Sequence, residues 1–174
     1  MAYDLVGWAF RLQRRTRVFL FCALLAMLPD FDFLFGIIEG DPNKYHHDIS
    51  HSLFFGLLVS IVCAAAFFSH DRLWIFTALF FSAYLSHLLL DFFSLDRSEP
   101  YGMKILWPLS GDHHISPWII FSDIQRVNRN TEFFQSVLTN THNYWAVLRE
   151  ILILAPPALI VRYLRKRREG HGDS

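Results

Sequence analysis

Long apolar blocks dominate this chain, separated by short polar stretches. A membrane-spanning helix needs about 20 mostly apolar residues. Four blocks approach that length: Val18–Ile38, Ile49–Phe68, Leu73–Phe93 and Trp145–Leu164. The first is interrupted by Pro29, Asp30 and Asp32, and the last holds Arg149, Glu150 and the pair Pro156–Pro157. The third is the cleanest. A soluble, Phe-rich helical bundle is the rival, because buried helices of about 10–14 residues are common in soluble proteins. These blocks reach 20 residues, however, and the polar loops are too few to cover them. The pattern therefore predicts an all-α integral membrane bundle of about four transmembrane helices, forming a single domain over residues 1–174. Between the third and fourth blocks lies the long segment Ser94–Asn143. It carries Trp107, Trp118 and Phe121, so part of it is expected to lie in the interface or re-enter the bundle. The first block follows an Arg-rich start, as a signal peptide would. It runs into Pro29-Asp30-Phe31-Asp32 without a small-residue cleavage site and is read as a retained span.

Charge gives the spans a direction. Arg11, Arg14, Arg15 and Arg17 precede the first span, Arg72 sits in the short link after the second, and Arg162, Arg165, Lys166, Arg167 and Arg168 end the chain. With four spans these regions share one side, which then carries ten of the sixteen Lys and Arg. The positive-inside rule makes that side cytoplasmic, termini included. Composition agrees: 53% of residues are hydrophobic and 18% charged, against about 25% charged in an ordinary soluble domain. The formal net charge is zero, which argues against a nucleic-acid partner. Cys22 and Cys63 lie within apolar blocks and read as small buried residues rather than as a disulfide or a zinc motif.

The ionisable residues that break the membrane pattern fall at one depth. Asp30 and Asp32 lie at the outer end of the first span, His46, His47, Asp48 and His51 at the outer start of the second, and His87 and Asp91 near the outer end of the third. Charges at such places are costly and usually functional. His87 and Asp91 are four apart and share a helical face. Asp48 or Ser50 is placed to cap the second span. Imidazole nitrogen with carboxylate oxygen suits zinc, manganese or iron. Asp30, Asp32, His46, His51, His87 and Asp91 make six candidate ligands, more than one tetrahedral ion uses, so one or two ions are expected. Each motif alone is weak, and PDxD is often only a helix stop. Their coincidence at one face carries the metal reading. His70, His113 and His114 read as loop residues, and His142 as a weaker candidate at the same level.

These motifs carry a resemblance. Leu28-Pro29-Asp30-Phe31-Asp32, His46-His47-Asp48-Ile49-Ser50-His51-Ser52, Ser86-His87-Leu88-Leu89-Leu90-Asp91, Tyr101-Gly102 and Leu106-Trp107-Pro108-Leu109-Ser110 occur in order over about residues 3–123. In this they resemble the YdjM-like family of membrane-bound metal-dependent hydrolases, described as LexA-binding and associated with the inner membrane. The resemblance implies a multi-pass protein of the bacterial inner membrane, with a hydrolytic metal centre on the six residues named above. A more distant similarity is to zinc-dependent phospholipase C and related nucleases. Two departures stand out. Family members often have a histidine near the start, where this chain has Tyr3-Asp4-Leu5-Val6-Gly7, so one ligand is lost, replaced by Asp4, or missing from a truncated start. Asp48 also stands where glycine is usual.

The expected function is hydrolysis of an ester or phosphoester, with membrane lipid as surroundings and a lipid-linked molecule as substrate. The metal would bring the pKa of a bound water toward about 7, and Asp32 or Asp48 would take its proton. The alternative is a non-enzymatic membrane protein whose metal is structural or related to transport. No G-x-S-x-G motif offers a competing nucleophile. Topology can be checked directly: reporter fusions after residues 44, 71 and 110 should read outside, inside and outside. An inside signal at 44 would remove the shared face on which the site rests.

Overall fold

The computed structural model describes residues 2–68, 70–97 and 99–171, with backbone alone for 2–14, 165 and 168–171. The side chains of Asp4, Arg11, Arg14, Arg165 and Arg168 thus lie outside the described residues. Among the described residues there are six α-helices: α1 (Ala2–Met27), α2 (Asp32–Glu39), α3 (Leu53–Phe67), α4 (Leu73–Phe92), α5 (Phe133–Thr139) and α6 (Thr141–His171). Short 3-10 turns at Pro29–Phe31, Ile49–His51 and His70–Arg72 lead into α2, α3 and α4. No strand forms among the described residues, only two isolated bridges.

The breaks follow from sequence. Pro29 has no N–H to give the helical ladder, so α1 stops at Met27 and the chain resumes in α2 bent by 58°. At Gly40 the backbone enters the left-handed region, φ 90°, where its N–H reaches back to the carbonyls of Gly36 and Ile37 and closes α2. Ser52 is extended, and its side chain accepts the Phe55 N–H at 3.1 Å, which starts α3. The cap is therefore Ser52, while Asp48 and Ser50 lie upstream of the 3-10 turn or within it and do not cap α3.

The core sits between α1, α3 and α4. Leu25, Ala64, Phe76, Phe80, Tyr84 and Leu88 are buried there together with Met103. Phe21 packs its ring against Phe67, Phe68 and Phe80 at centroid distances of 5.0–5.7 Å. Met103 belongs to the long segment after α4, which lies across the helix ends instead of hanging free. Ile105 accepts the Leu53 N–H, His47 accepts the Lys104 N–H, and Phe92 accepts the Ser116 N–H, at 3.1, 3.0 and 3.1 Å. Ser94 bridges Phe121, and Met103 bridges His114.

Among the described residues two helices are long and apolar enough to cross a membrane, His70–Phe92 and Thr141–Leu164, and a third span results if the bent pair Arg15–Met27 and Pro29–Glu39 counts as one. About four spans were expected, and the second block is where the count by length falls short. The 3-10 turn and the Ser52 cap take its first residues, leaving α3 with 15 residues, or about 22 Å, against about 30 Å of hydrocarbon. Large apolar side chains cover the outside of the bundle. Phe19, Trp74 and Ile75 are exposed, and only 6% of the α6 span is buried. Such a surface belongs in lipid.

The α3–α4 crossing is tight at Gly56, where an added Cβ would lie 2.4 Å from Cδ1 of the Tyr84 ring. That ring is fully buried and its hydroxyl donates to the Ser50 carbonyl, so it has nowhere to swing. Gly56→Val should destabilise the protein by about 1–3 kcal/mol. Leu58→Ala, on the exposed face, should change stability by less than about 0.5 kcal/mol. Thermal unfolding in detergent checks both, and equal effects would contradict the tight crossing.

Candidate metal centre

Four of the six potential ligands are placed by local breaks in regular structure, and the other two by a helix. Asp30 lies in the 3-10 turn that Pro29 begins, and Asp32 opens α2. His46 and His47 lie in the turns between α2 and the next 3-10 turn, which ends on His51. His87 and Asp91 stand one turn apart at the end of α4, on one face.

These segments bring the six residues into one continuous chain of contacts. Asp30 Oδ1 lies 3.6 Å from His87 Nε2, which lies 3.0 Å from Asp91 Oδ2. Asp91 Oδ2 is 3.3 Å from His51 Nε2, and the other nitrogen of that ring is 3.2 Å from Asp32 Oδ2. Asp32 Oδ1 is 3.5 Å from His46 Nδ1. The burial is graded. His51 is fully buried and Asp32 nearly so, while the Asp30 side chain is half exposed, at 50%. Burial pushes His46 down to about 3, against the opposing hydrogen bond from Asp32, so its imidazole is neutral at physiological pH.

The donors fit a cation. His51 Nε2, His87 Nε2 and Asp91 Oδ2 are sealed from solvent, lie 3.0–3.3 Å apart along the chain, and yet have no aligned hydrogen bond. Buried polar atoms left in that condition are rare and call for an explanation. Donor atoms of Asp30, His51 and His87 lie within 4.8 Å of one another, and so do those of His46, His47 and His51. Nitrogen and carboxylate donors together match zinc, manganese or iron. The two groups share His51.

Other candidates lie elsewhere. Asp48 pairs with Lys104 at 2.5 Å. His142 faces Asp123, with Nε2 3.1 Å from its carbonyl and 3.2 Å from its carboxylate. The backbone of His114 pairs with Met103. His70 sits exposed in the turn before α4.

The structure adds residues that sequence reasoning did not single out as site residues. His47 adopts φ 65°, uncommon for a residue with a side chain, and its Nδ1 lies 3.4 Å from Asp96 Oδ2. Ser50 donates its hydroxyl to Asp32 Oδ2 at 2.9 Å, and Tyr84 holds the Ser50 carbonyl. The Arg126 guanidinium lies over the Phe33 ring at 4.7 Å, and that ring stacks on His46 at 4.1 Å. His47 had a signal, as a third histidine in a six-residue stretch. Asp96 and Arg126 had none, since the segment after α4 has no periodicity.

His51 is the member most dependent on its neighbours. His51→Ala would leave Asp32 and Asp91 facing the space it filled, and should destabilise the metal-free protein by about 3 kcal/mol or more. Asp48→Asn, which weakens only a partly exposed pair, should cost less than about 1 kcal/mol. Thermal melts of both variants in detergent with chelator present separate the two. Similar losses would mean that the buried chain is not the stabilising element.

Comparison with known proteins agrees with the membrane character of the fold. Among curated proteins and among solved structures nothing matches this chain. A family model described as YdjM inner membrane protein matches residues 3–168, nearly the whole length. The chain belongs to the YdjM inner membrane protein family.

Proposed function

We propose that this membrane protein is a metal-dependent hydrolase of an ester or phosphoester, acting on a lipid-linked molecule at the membrane surface. One observation carries the proposal: His51 Nε2, His87 Nε2 and Asp91 Oδ2 are buried and close together with no aligned hydrogen bond, beside a carboxylate that is open to the surroundings. In this reading Asp30, His51, His87 and Asp91 hold one divalent cation, zinc first and manganese or iron otherwise. His46 and His47 offer donors for a second. In this topology the short, apolar α3 also crosses, which returns the chain so that both termini are cytoplasmic and the centre faces outward.

When bound, such a cation polarises the scissile ester and acidifies water. The protein's own groups supply the rest. Asp32 lies against both His46 and His51 and accepts the Ser50 hydroxyl, so it fixes the orientation of two imidazoles. With that work to do, it is less suited to taking a proton. Asp48 is held by Lys104. Asp30 is half exposed, with His87 as its neighbour, and the carboxylate oxygen that would not hold the cation is the one we assign to accept the proton from water. The graded burial supports a catalytic use over a structural one, because structural metal sites are closed whereas catalytic ones keep an open position.

Metal analysis of the purified protein, followed by phosphodiesterase and esterase assays with and without chelator, tests the proposal. His87→Ala and Asp91→Asn, made one at a time, should weaken metal affinity by about 10-fold or more while the protein stays inserted and folded. Chelation should abolish hydrolysis. A steep loss of melting temperature on chelation, with no turnover of any ester or phosphoester, would favour a structural metal, whose binding energy is folding energy.

A further inference from the structure

We propose that Arg126 is an anion-binding residue of this site and that the substrate carries a phosphate group, which Arg126 engages. The inference rests on the metal-dependent hydrolase reading and narrows it from esters in general to phosphoesters.

Arg126 lies in the segment after α4, and that segment is tied down around it. Asn128 accepts the Asn43 N–H at 3.0 Å and donates to Asp41 at 2.8 Å, Asn130 donates to the Ile37 carbonyl at 2.6 Å, and the Gln125 N–H donates to Asn143 at 2.8 Å. The arginine is therefore held against α2 and the loop that carries His46. Its guanidinium covers Phe33, the ring stacked on His46. Asp30, Asp96, Asp32 and Asp91, the carboxylates of the centre and its margin, are all within electrostatic range of it.

Its hydrogen bonds are notable for what they join. Nε donates to the Asn43 side-chain oxygen at 3.0 Å, and one terminal nitrogen donates to the Ile124 carbonyl at 3.3 Å. Both acceptors are neutral, and no ion pair joins Arg126 to a described carboxylate. An arginine taken partly out of water usually has an ionic partner, because an unpaired charge there is expensive. Here the fork is fixed by neutral groups while carboxylates stand near but do not close on it. That arrangement suits an anion that comes and goes. Those two bonds use two of the five guanidinium N–H donors, and the three left on the terminal nitrogens match two oxygens of a phosphate in a bidentate way, whereas a neutral carboxylic ester offers nothing equivalent. The nearby carboxylates would repel an anion on their own, so phosphate binding at Arg126 needs the cation that the same carboxylates and histidines would hold. The charge balance then favours a phosphoester spanning both.

The test uses the full chain purified in detergent with zinc supplied, and calorimetric titration with inorganic phosphate. Arg126→Met keeps most of the stem over Phe33 without the charge, and Arg126→Lys keeps the charge without the fork. Phosphate affinity should fall by about 10-fold or more in Arg126→Met and by less in Arg126→Lys, with zinc content and melting temperature unchanged. Dihexanoyl phosphatidic acid is the second probe. Tighter binding than phosphate, lost equally in Arg126→Met, assigns the phosphate to a lipid headgroup, and equal binding assigns it to a small phosphate compound. Unchanged phosphate affinity in Arg126→Met overturns the proposal, as does a loss of zinc or melting temperature in both variants, which would make Arg126 a structural clamp. The hydrolase reading fails separately. Arg126-dependent phosphate binding without turnover of any ester or phosphoester would leave this inference standing and remove that one. Carboxylic-ester turnover indifferent to Arg126→Met, with no phosphate binding, would do the reverse.

Discussion

A single imidazole holds the centre together. His51 is fully buried and faces Asp32 through one nitrogen and Asp91 through the other, at 3.2 and 3.3 Å. Those carboxylates belong to α2 and α4, and His51 belongs to the turn before α3, so one ring links three helices. Neither carboxylate is readily buried without it. The supports around the ring are themselves fitted to one another. Ser50 fixes Asp32, Tyr84 fixes Ser50, and Gly56 leaves room for Tyr84. The packing of α3 on α4 thus reaches the polar centre through an unbroken series of contacts, and the apolar core and the candidate site form one structural unit.

The membrane and the centre make opposite demands on the chain, and the fold reconciles them at helix breaks. Regular helix satisfies the backbone in lipid but presents side chains only at fixed intervals. Donors that must converge come from irregular points: the Pro29 turn, the left-handed His47 and the 3-10 turn ending in His51. Only His87 and Asp91 stand on an uninterrupted helix, where the four-residue interval already aligns them. The long segment after α4 closes the arrangement by giving its backbone to His47, Leu53 and Phe92.

The sequence showed the helical, apolar character of the chain and the grouping of Asp30, Asp32, His46, His51, His87 and Asp91 at one end, because both signals are local. Pro29 announced its break, and the HxxxD interval announced its face. The length of the second apolar block was misleading. Hydropathy counts Ile49 as part of a span, whereas hydrogen bonding starts the helix at Leu53, after a serine cap. Asp96 and Arg126 were not legible for another reason. They reach the site through contacts across more than 40 residues, from a segment without periodicity, and nothing near them in sequence reports the fold that carries them there. His142 looked equivalent to the site histidines by depth, yet Asp123 engages it. Depth along the membrane normal does not determine position within the plane.

The bend between α1 and α2 also bears on how the protein is made. A chain emerges from the ribosome beginning at its N-terminus, so Asp30 and Asp32 enter the membrane region before His51 and well before His87. Until those histidines arrive, two carboxylates must be accommodated without their partners. A straight helix would carry them into the hydrocarbon. The turn at Pro29 and the 58° change of direction end the straight helix before the carboxylates, so it does not carry them on along its own axis. The kink that brings Asp32 to His51 in the finished protein therefore also bears on the interval before His51 exists, when the carboxylates have only their own turn to hold them.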